Sequence, residues 1–121
     1  MVVRKDVKWD LETDVVVLGS GGAALSAAIL AADQDADVVM LEKSDQIGGT
    51  TAFSGGIPWI PMNRYMKEIG VEDSFEEAKK YITHLTGNKE PDPELVDVFI
   101  NKGAEMIDYF HENTPLRFSV P

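Results

Sequence analysis

Hydrophobic positions along the 121-residue chain follow three different rhythms. Val15–Leu18 and Val38–Leu41 are short, continuous and rich in β-branched residues, the pattern of strands buried on both faces. Between them lies an alanine-rich stretch, roughly 22–32, with the composition of a helix. Further on, Phe75, Ala78, Ile82 and Leu85 recur at helical spacing. So do Val96, Phe99, Ile100, Gly103, Ile107 and Phe110, which form a long apolar stripe. Leu116–Val120 alternates as a strand does. The interval 44–63 keeps no period at all.

Boundary residues support this division. Ser74-Phe75-Glu76-Glu77 is a capping box, in which the serine accepts from the N3 amide and Glu77 reaches back to the serine N–H. Gly87 closes that helix. Asp92-Pro93-Glu94 opens the next with an N-cap, a proline at N1 and a favourable acid, and its end falls near Asn113-Thr114-Pro115. A short helical piece runs from Tyr65 to Gly70. In the turn Asp33-Gln34-Asp35-Ala36 the usual glycine cap is missing, so Asp35 is expected in the left-handed conformation. Gly103 in mid-helix costs about 1 kcal/mol against alanine, which points to close packing with another element. Residues 1–13 read as a polar lead-in anchored by Trp9 and Leu11.

Chemistry enters directly after the first apolar run. Gly19-Ser20-Gly21-Gly22-Ala23-Ala24 fits the pattern G-x-G-x-x-G/A at Gly19, Gly21 and Ala24. Gly19 allows the tight turn out of the strand, and Gly21 leaves no Cβ between the backbone and a pyrophosphate. Ala24 lets the helix lie close on the sheet. The helix N-terminus, with its unsatisfied N–H groups and positive dipole end, favours negative charge. The second run ends at Glu42, 21 positions after Gly21, near the spacing of about 20 at which an acid meets a ribose. Such a carboxylate accepts from ribose hydroxyls and repels a 2′-phosphate. The competing reading is a βαβ unit with a glycine-rich turn and no ligand.

Composition narrows the field. The net charge of −10 argues against nucleic acid and anionic membrane surfaces. The absence of cysteine excludes disulfides, thiol catalysis and thiolate metal sites. The uncharged run 15–32 approaches the length of a membrane span, but Gly-Ser-Gly-Gly at its middle fits a strand followed by a helix. No secretory core precedes it, so the expected location is cytoplasmic. His84 and His111 lack partners at metal spacing. Tyr81 and Tyr109 read as packing residues, and no residue is assigned a catalytic role.

The aperiodic interval SDQIGGTTAFSGGIPWIPMN combines four glycines with Thr50, Thr51 and Ser54. Its apolar residues argue against disorder. It reads either as a packed surface loop or as a backbone track along a long cofactor, glycine pairs and hydroxyls offering donors.

Asp14–Lys43 followed by GGTTAFSGG resembles the FAD-binding domain of the fumarate reductase/succinate dehydrogenase flavoprotein superfamily. The continuation GGIPWIPMN is similar to its 3-ketosteroid dehydrogenase branch. The resemblance covers 14–63 well and the helices beyond loosely. It implies that Gly19, Ser20, Gly21, Gly22, Ala23 and Ala24 hold the pyrophosphate of FAD and Glu42 the adenosine ribose. Lys43, Thr50, Thr51, Ser54, Gly55 and Gly56 would line the path to the flavin. In respiratory members a histidine before the first threonine carries FAD covalently; Gly49 stands there in this chain, so the implied FAD is non-covalent.

The expected fold is therefore α/β: a Rossmann-like FAD-binding βαβ with its glycine-rich loop (14–63), a helical segment (64–115) and the start of a strand (116–121). Two strands are few for a parallel sheet, and the chain reads as the N-terminal piece of a longer flavoenzyme, inactive alone. The resemblance implies an FAD-dependent oxidoreductase acting on a carbonyl-activated C–C bond of a small molecule, ketosteroid-like or fumarate-like. An NAD-binding dehydrogenase fragment and a non-enzymatic nucleotide-binding or interaction chain remain as alternatives.

Overall fold

The structure is a computed structural model that describes residues 7–87, 89 and 92–120. Residues 1–6 of the lead-in lie outside the described residues, as does Pro121. The chain divides into two compact units, Met1–Ile57 and Pro58–Pro121. The glycine-rich interval is thus shared between them, its last residues belonging with the helices.

In the first unit β1 (Val15–Leu18), α1 (Gly22–Asp33) and β2 (Val38–Leu41) form a βαβ unit. The strands are parallel, with Val15 opposite Val38 and Leu18 opposite Leu41. Register is set at the start of both strands. The Asp14 carboxylate accepts from the Asp37 N–H at 2.9 Å, and the Asp37 carbonyl accepts from Thr13 Oγ1 at 2.6 Å. Asp35 takes the left-handed conformation with φ 59°, so the chain leaves α1 without a glycine.

Two expectations fail in this unit. Val17 is buried, but Val16 and Leu18 are 55% and 76% exposed, so β1 is not covered on both faces. Among the described residues the sheet has two strands, and α1 packs on it. One helix covers one face. Trp9 and Leu11, expected as anchors of the lead-in, are also exposed.

The second unit holds α2 (Arg64–Glu68), α3 (Phe75–Leu85) and α4 (Pro93–Asn113). Each has a side-chain N-cap: Asn63 accepts from the Tyr65 N–H, Ser74 from Glu77 and Asp92 from Glu94. The capping box at α3 is only half formed. The Ser74 N–H donates to Asp73 Oδ1 at 2.8 Å rather than to Glu77. Asp73 is one residue away and its other oxygen accepts from the Met62 N–H at 2.8 Å, so one carboxylate both caps the helix and pins the preceding loop.

Ala78, Val96 and Ile100 form the core, with Met62, Phe75 and Ile82 packed against it. Ile107, Phe110 and Tyr65 are buried further along α4 and α2. A Cβ at Gly103 would stand 2.9 Å from Ile60 Cγ2, which is the close packing expected of that glycine. Leu85 and Phe99 leave the apolar faces and are exposed; Phe99 stacks on Trp59 at 6.2 Å between centroids. Leu116–Val120 is not a strand. Alternation marks a preference, but a strand requires a ladder partner. The Arg117 guanidinium instead donates to the carbonyls of Thr114 and Leu116.

Candidate cofactor site

The site grows out of the parallel register. The Gly19 N–H donates to the Leu41 carbonyl at 2.7 Å, extending the ladder one residue past β1. Gly19 then turns with φ +87°, a conformation closed to most side chains. Gly21 follows as N-cap of α1, in extended conformation and with no side chain capping the helix. Space is open where a Cβ would stand on either Gly19 or Gly21.

α1 begins without an acidic residue in its first turn. Its first intrahelical bond runs from the Leu25 N–H to the Gly21 carbonyl at 2.9 Å, so the N–H groups of Ala23 and Ala24 precede the helical ladder. The Gly22 N–H donates to Thr51 Oγ1 at 3.0 Å. This brings the second glycine-rich segment onto the first. Gly48 and Gly49 both have positive φ and lead into a single 3₁₀ turn, Gly49–Phe53. A Cβ on Gly49 would lie 3.3 Å from Gly21 Cα, tighter than carbon atoms comfortably approach.

Ser20 ties these parts together. It is 1% exposed; its hydroxyl donates to Glu42 Oε2 at 2.5 Å and accepts from the Gly48 N–H at 2.9 Å. Glu42 Oε1 accepts from the Ser44 N–H at 2.9 Å. The Ser20 hydroxyl foremost, then the Ser44 N–H, holds the Glu42 carboxyl below the ordinary range. The group is therefore ionised at neutral pH.

A cleft of about 640 Å³ opens at the carboxyl ends of β1 and β2, lined by Leu18, Gly19, Ser20, Gly21, Leu41, Glu42, Lys43 and Gly49. In an open parallel sheet this is where ligands bind. The lining suits an anionic dinucleotide: two glycines with room above them, a helix N-terminus, a fixed carboxylate and a lysine. Gly22, Ala23, Ala24, Thr50, Thr51, Ser54, Gly55 and Gly56 lie outside that lining. The Ser54 hydroxyl is engaged within its own loop, donating to the Thr51 carbonyl at 2.8 Å and accepting from the Gly56 N–H at 3.1 Å. Sequence reasoning did not find the Ser20–Glu42 pair, which depends on strand register. Nor did it find Gly48, whose φ of +108° and 2.7 Å approach of a built Cβ to Ala52 require glycine. The paired Gly48-Gly49 was the available signal.

A parallel βαβ unit with this glycine turn, and an acid closing its second strand beside the turn, defines a dinucleotide-binding domain. The chain belongs to the FAD binding domain family, which it matches over residues 14–120. It is 42% identical over 106 residues to 3-oxosteroid 1-dehydrogenase of Mycolicibacterium smegmatis, covering 88% of this chain and 18% of that protein. It is 43% identical over 93 residues to urocanate reductase of Eggerthella lenta, covering 77% of this chain and 15% of that protein. Among solved structures it resembles 3-ketosteroid-Δ4-(5α)-dehydrogenase of Rhodococcus jostii RHA1 in complex with 4-androstene-3,17-dione. That match has a TM-score of 0.78 at 31% identity and covers 93% of this chain and 24% of the other. The chain thus spans under a fifth of the length of these curated relatives. The family indicates FAD as the dinucleotide. Among the described residues no helix is long and apolar enough to cross a membrane.

Proposed function

We propose that this chain is the nucleotide-holding part of an FAD-dependent oxidoreductase that dehydrogenates or reduces a carbonyl-activated C–C bond. The observation that carries the reading is the convergence of the Gly19–Gly21 turn, the Glu42 carboxylate and Gly49 on one cleft. Two of its most similar relatives are named for a ketosteroid and for urocanate.

Each residue has a distinct task in this reading. The amides of Ala23 and Ala24 and the α1 dipole stabilise the pyrophosphate. Glu42 accepts from the adenosine ribose, and its charge selects against a 2′-phosphate. Lys43, at the rim of the same cleft, adds a positive charge near the phosphates. Thr50, Thr51, Ser54, Gly55 and Gly56 continue the track towards the isoalloxazine. When bound, the flavin supplies the hydride chemistry, and the protein supplies placement and electrostatics. Gly49 offers no nucleophile, so attachment through that position is excluded and the cofactor is held non-covalently.

Two measurements on the full-length protein test the proposal. Acid precipitation should release all flavin into the supernatant as FAD; flavin in the pellet contradicts non-covalent binding. Anaerobic mixing with a 3-ketosteroid should bleach the oxidised flavin spectrum, or an α,β-unsaturated carboxylate should restore it after reduction. A flavoprotein inert to both substrate classes would sink the assigned chemistry.

A further inference from the structure

We propose that Ser20 is a positioning residue for the cofactor, acting through Glu42 rather than by touching the nucleotide. The proposal rests on the FAD reading above and assigns to one hydroxyl the orientation of the ribose acceptor.

Ser20 lies at the second position of the fingerprint, where the pattern demands no particular side chain. Yet it is among the most deeply buried side chains of the described residues, at 1% exposure. A serine hydroxyl has one proton to give and two lone pairs. Here the proton goes to Glu42 Oε2 at 2.5 Å, and one lone pair receives the Gly48 N–H at 2.9 Å. Both carboxylate oxygens of Glu42 are thereby anchored, Oε1 by the Ser44 N–H at 2.9 Å. A carboxylate has about four acceptor sites, and these two bonds engage one on each oxygen. The anchoring fixes the plane in which the acceptor sites point before any ligand arrives, which removes the ordering cost from binding.

The same hydroxyl joins three separate pieces of backbone. Ser20 belongs to the glycine turn, Glu42 to the end of β2 and Gly48 to the loop that places Thr51 on the Gly22 N–H at 3.0 Å. The bond to Glu42 is charge-assisted and of the stronger kind. Without it the carboxylate keeps its charge but loses its fixed orientation.

The test is a double-mutant cycle in the full-length protein, stripped of flavin and titrated with FAD. E42Q alone tests the ribose role of Glu42 on which the proposal rests, and should weaken FAD about ten-fold, as loss of charge-assisted bonds does. S20A should weaken FAD by a similar factor, about ten-fold, yet by less than about two-fold when added to E42Q. S20T keeps the hydroxyl and should restore affinity. If S20A fails to fold, S20C, near-isosteric with a weak donor, carries the same cycle. A normal E42Q would show that Glu42 is not on the ribose, and would overturn this proposal with that assignment. An impaired E42Q beside a normal S20A would overturn the proposal alone. Equal, additive losses would also overturn it, because Ser20 would then act independently of Glu42.

Discussion

Replacing Gly21 with alanine separates ligand binding from folding, because the structure assigns the two effects opposite sizes. The residue sits at φ −68°, ψ 173°, extended backbone that any residue adopts. No atom lies within 4 Å of the position a Cβ would take. The fold should therefore lose less than about 1 kcal/mol, the usual penalty for alanine at an N-cap. A bound pyrophosphate would have to retreat from that Cβ and from the Ala23 and Ala24 N–H groups behind it. Two hydrogen bonds to a charged group at about 1.5–3 kcal/mol each amount to roughly 3–6 kcal/mol. That corresponds to about a hundred-fold to ten-thousand-fold in dissociation constant. Urea unfolding of the flavin-free protein and FAD titration by fluorescence give the two numbers. Undiminished affinity in Gly21→Ala would show that the phosphates do not pass over this residue. A loss of affinity matched by an equal loss of stability would attribute the effect to folding. Gly48→Ala provides the contrast, since its φ of +108° and a 2.7 Å clash with Ala52 should damage the loop even without ligand.

Glu42 carries a pH prediction. Its carboxyl is held below its ordinary value, chiefly by the Ser20 hydroxyl, so the ionised form is favoured in the folded state. Its contribution is full above the unfolded carboxylate value of about 4.3 and is lost as pH falls through the lowered folded one. FAD affinity should accordingly be flat from neutral to mildly acid pH and decline only below that value; a decline centred near pH 6 would contradict the assignment. In the helical unit, Ile100 is 0% exposed, and Ile100→Ala should cost about 2–5 kcal/mol in denaturant unfolding. A loss under about 1 kcal/mol would mean that α4 does not pack as described.

Local signals read well from the chain because they depend on neighbours a few residues away. The strand-turn-helix order, the left-handed Asp35 and the caps at Ser74 and Asp92 all follow from short-range sterics and hydrogen bonding. Gly103 was legible for a related reason, since a glycine amid helix formers has few explanations besides close approach. What escaped was everything that required a partner from elsewhere. Val16 and Leu18 have the composition of buried strand residues, but composition records what a side chain prefers and not what covers it. Glu77 has the spacing to complete a capping box, yet Asp73 is nearer and wins the Ser74 N–H. Leu116–Val120 alternates correctly and finds no ladder. The Ser20–Glu42 bond spans 22 positions and exists because the parallel register sets the turn beside the end of β2. Nothing in the immediate neighbourhood of either residue announces it.

The uncovered face of β1 has a colloidal consequence for anyone handling this segment by itself. Val16, Leu18 and Leu41 present apolar surface on a two-stranded sheet, and an unpaired strand edge invites pairing with another molecule. Opposing this is a net charge of −10, which keeps like molecules apart at low ionic strength. The repulsion is screened within about 8 Å at physiological salt and vanishes near pH 4.5, where the chain carries no net charge. Dispersed behaviour in dilute neutral buffer should therefore give way to self-association when salt is raised or pH is brought towards 4.5, with no change in the fold itself.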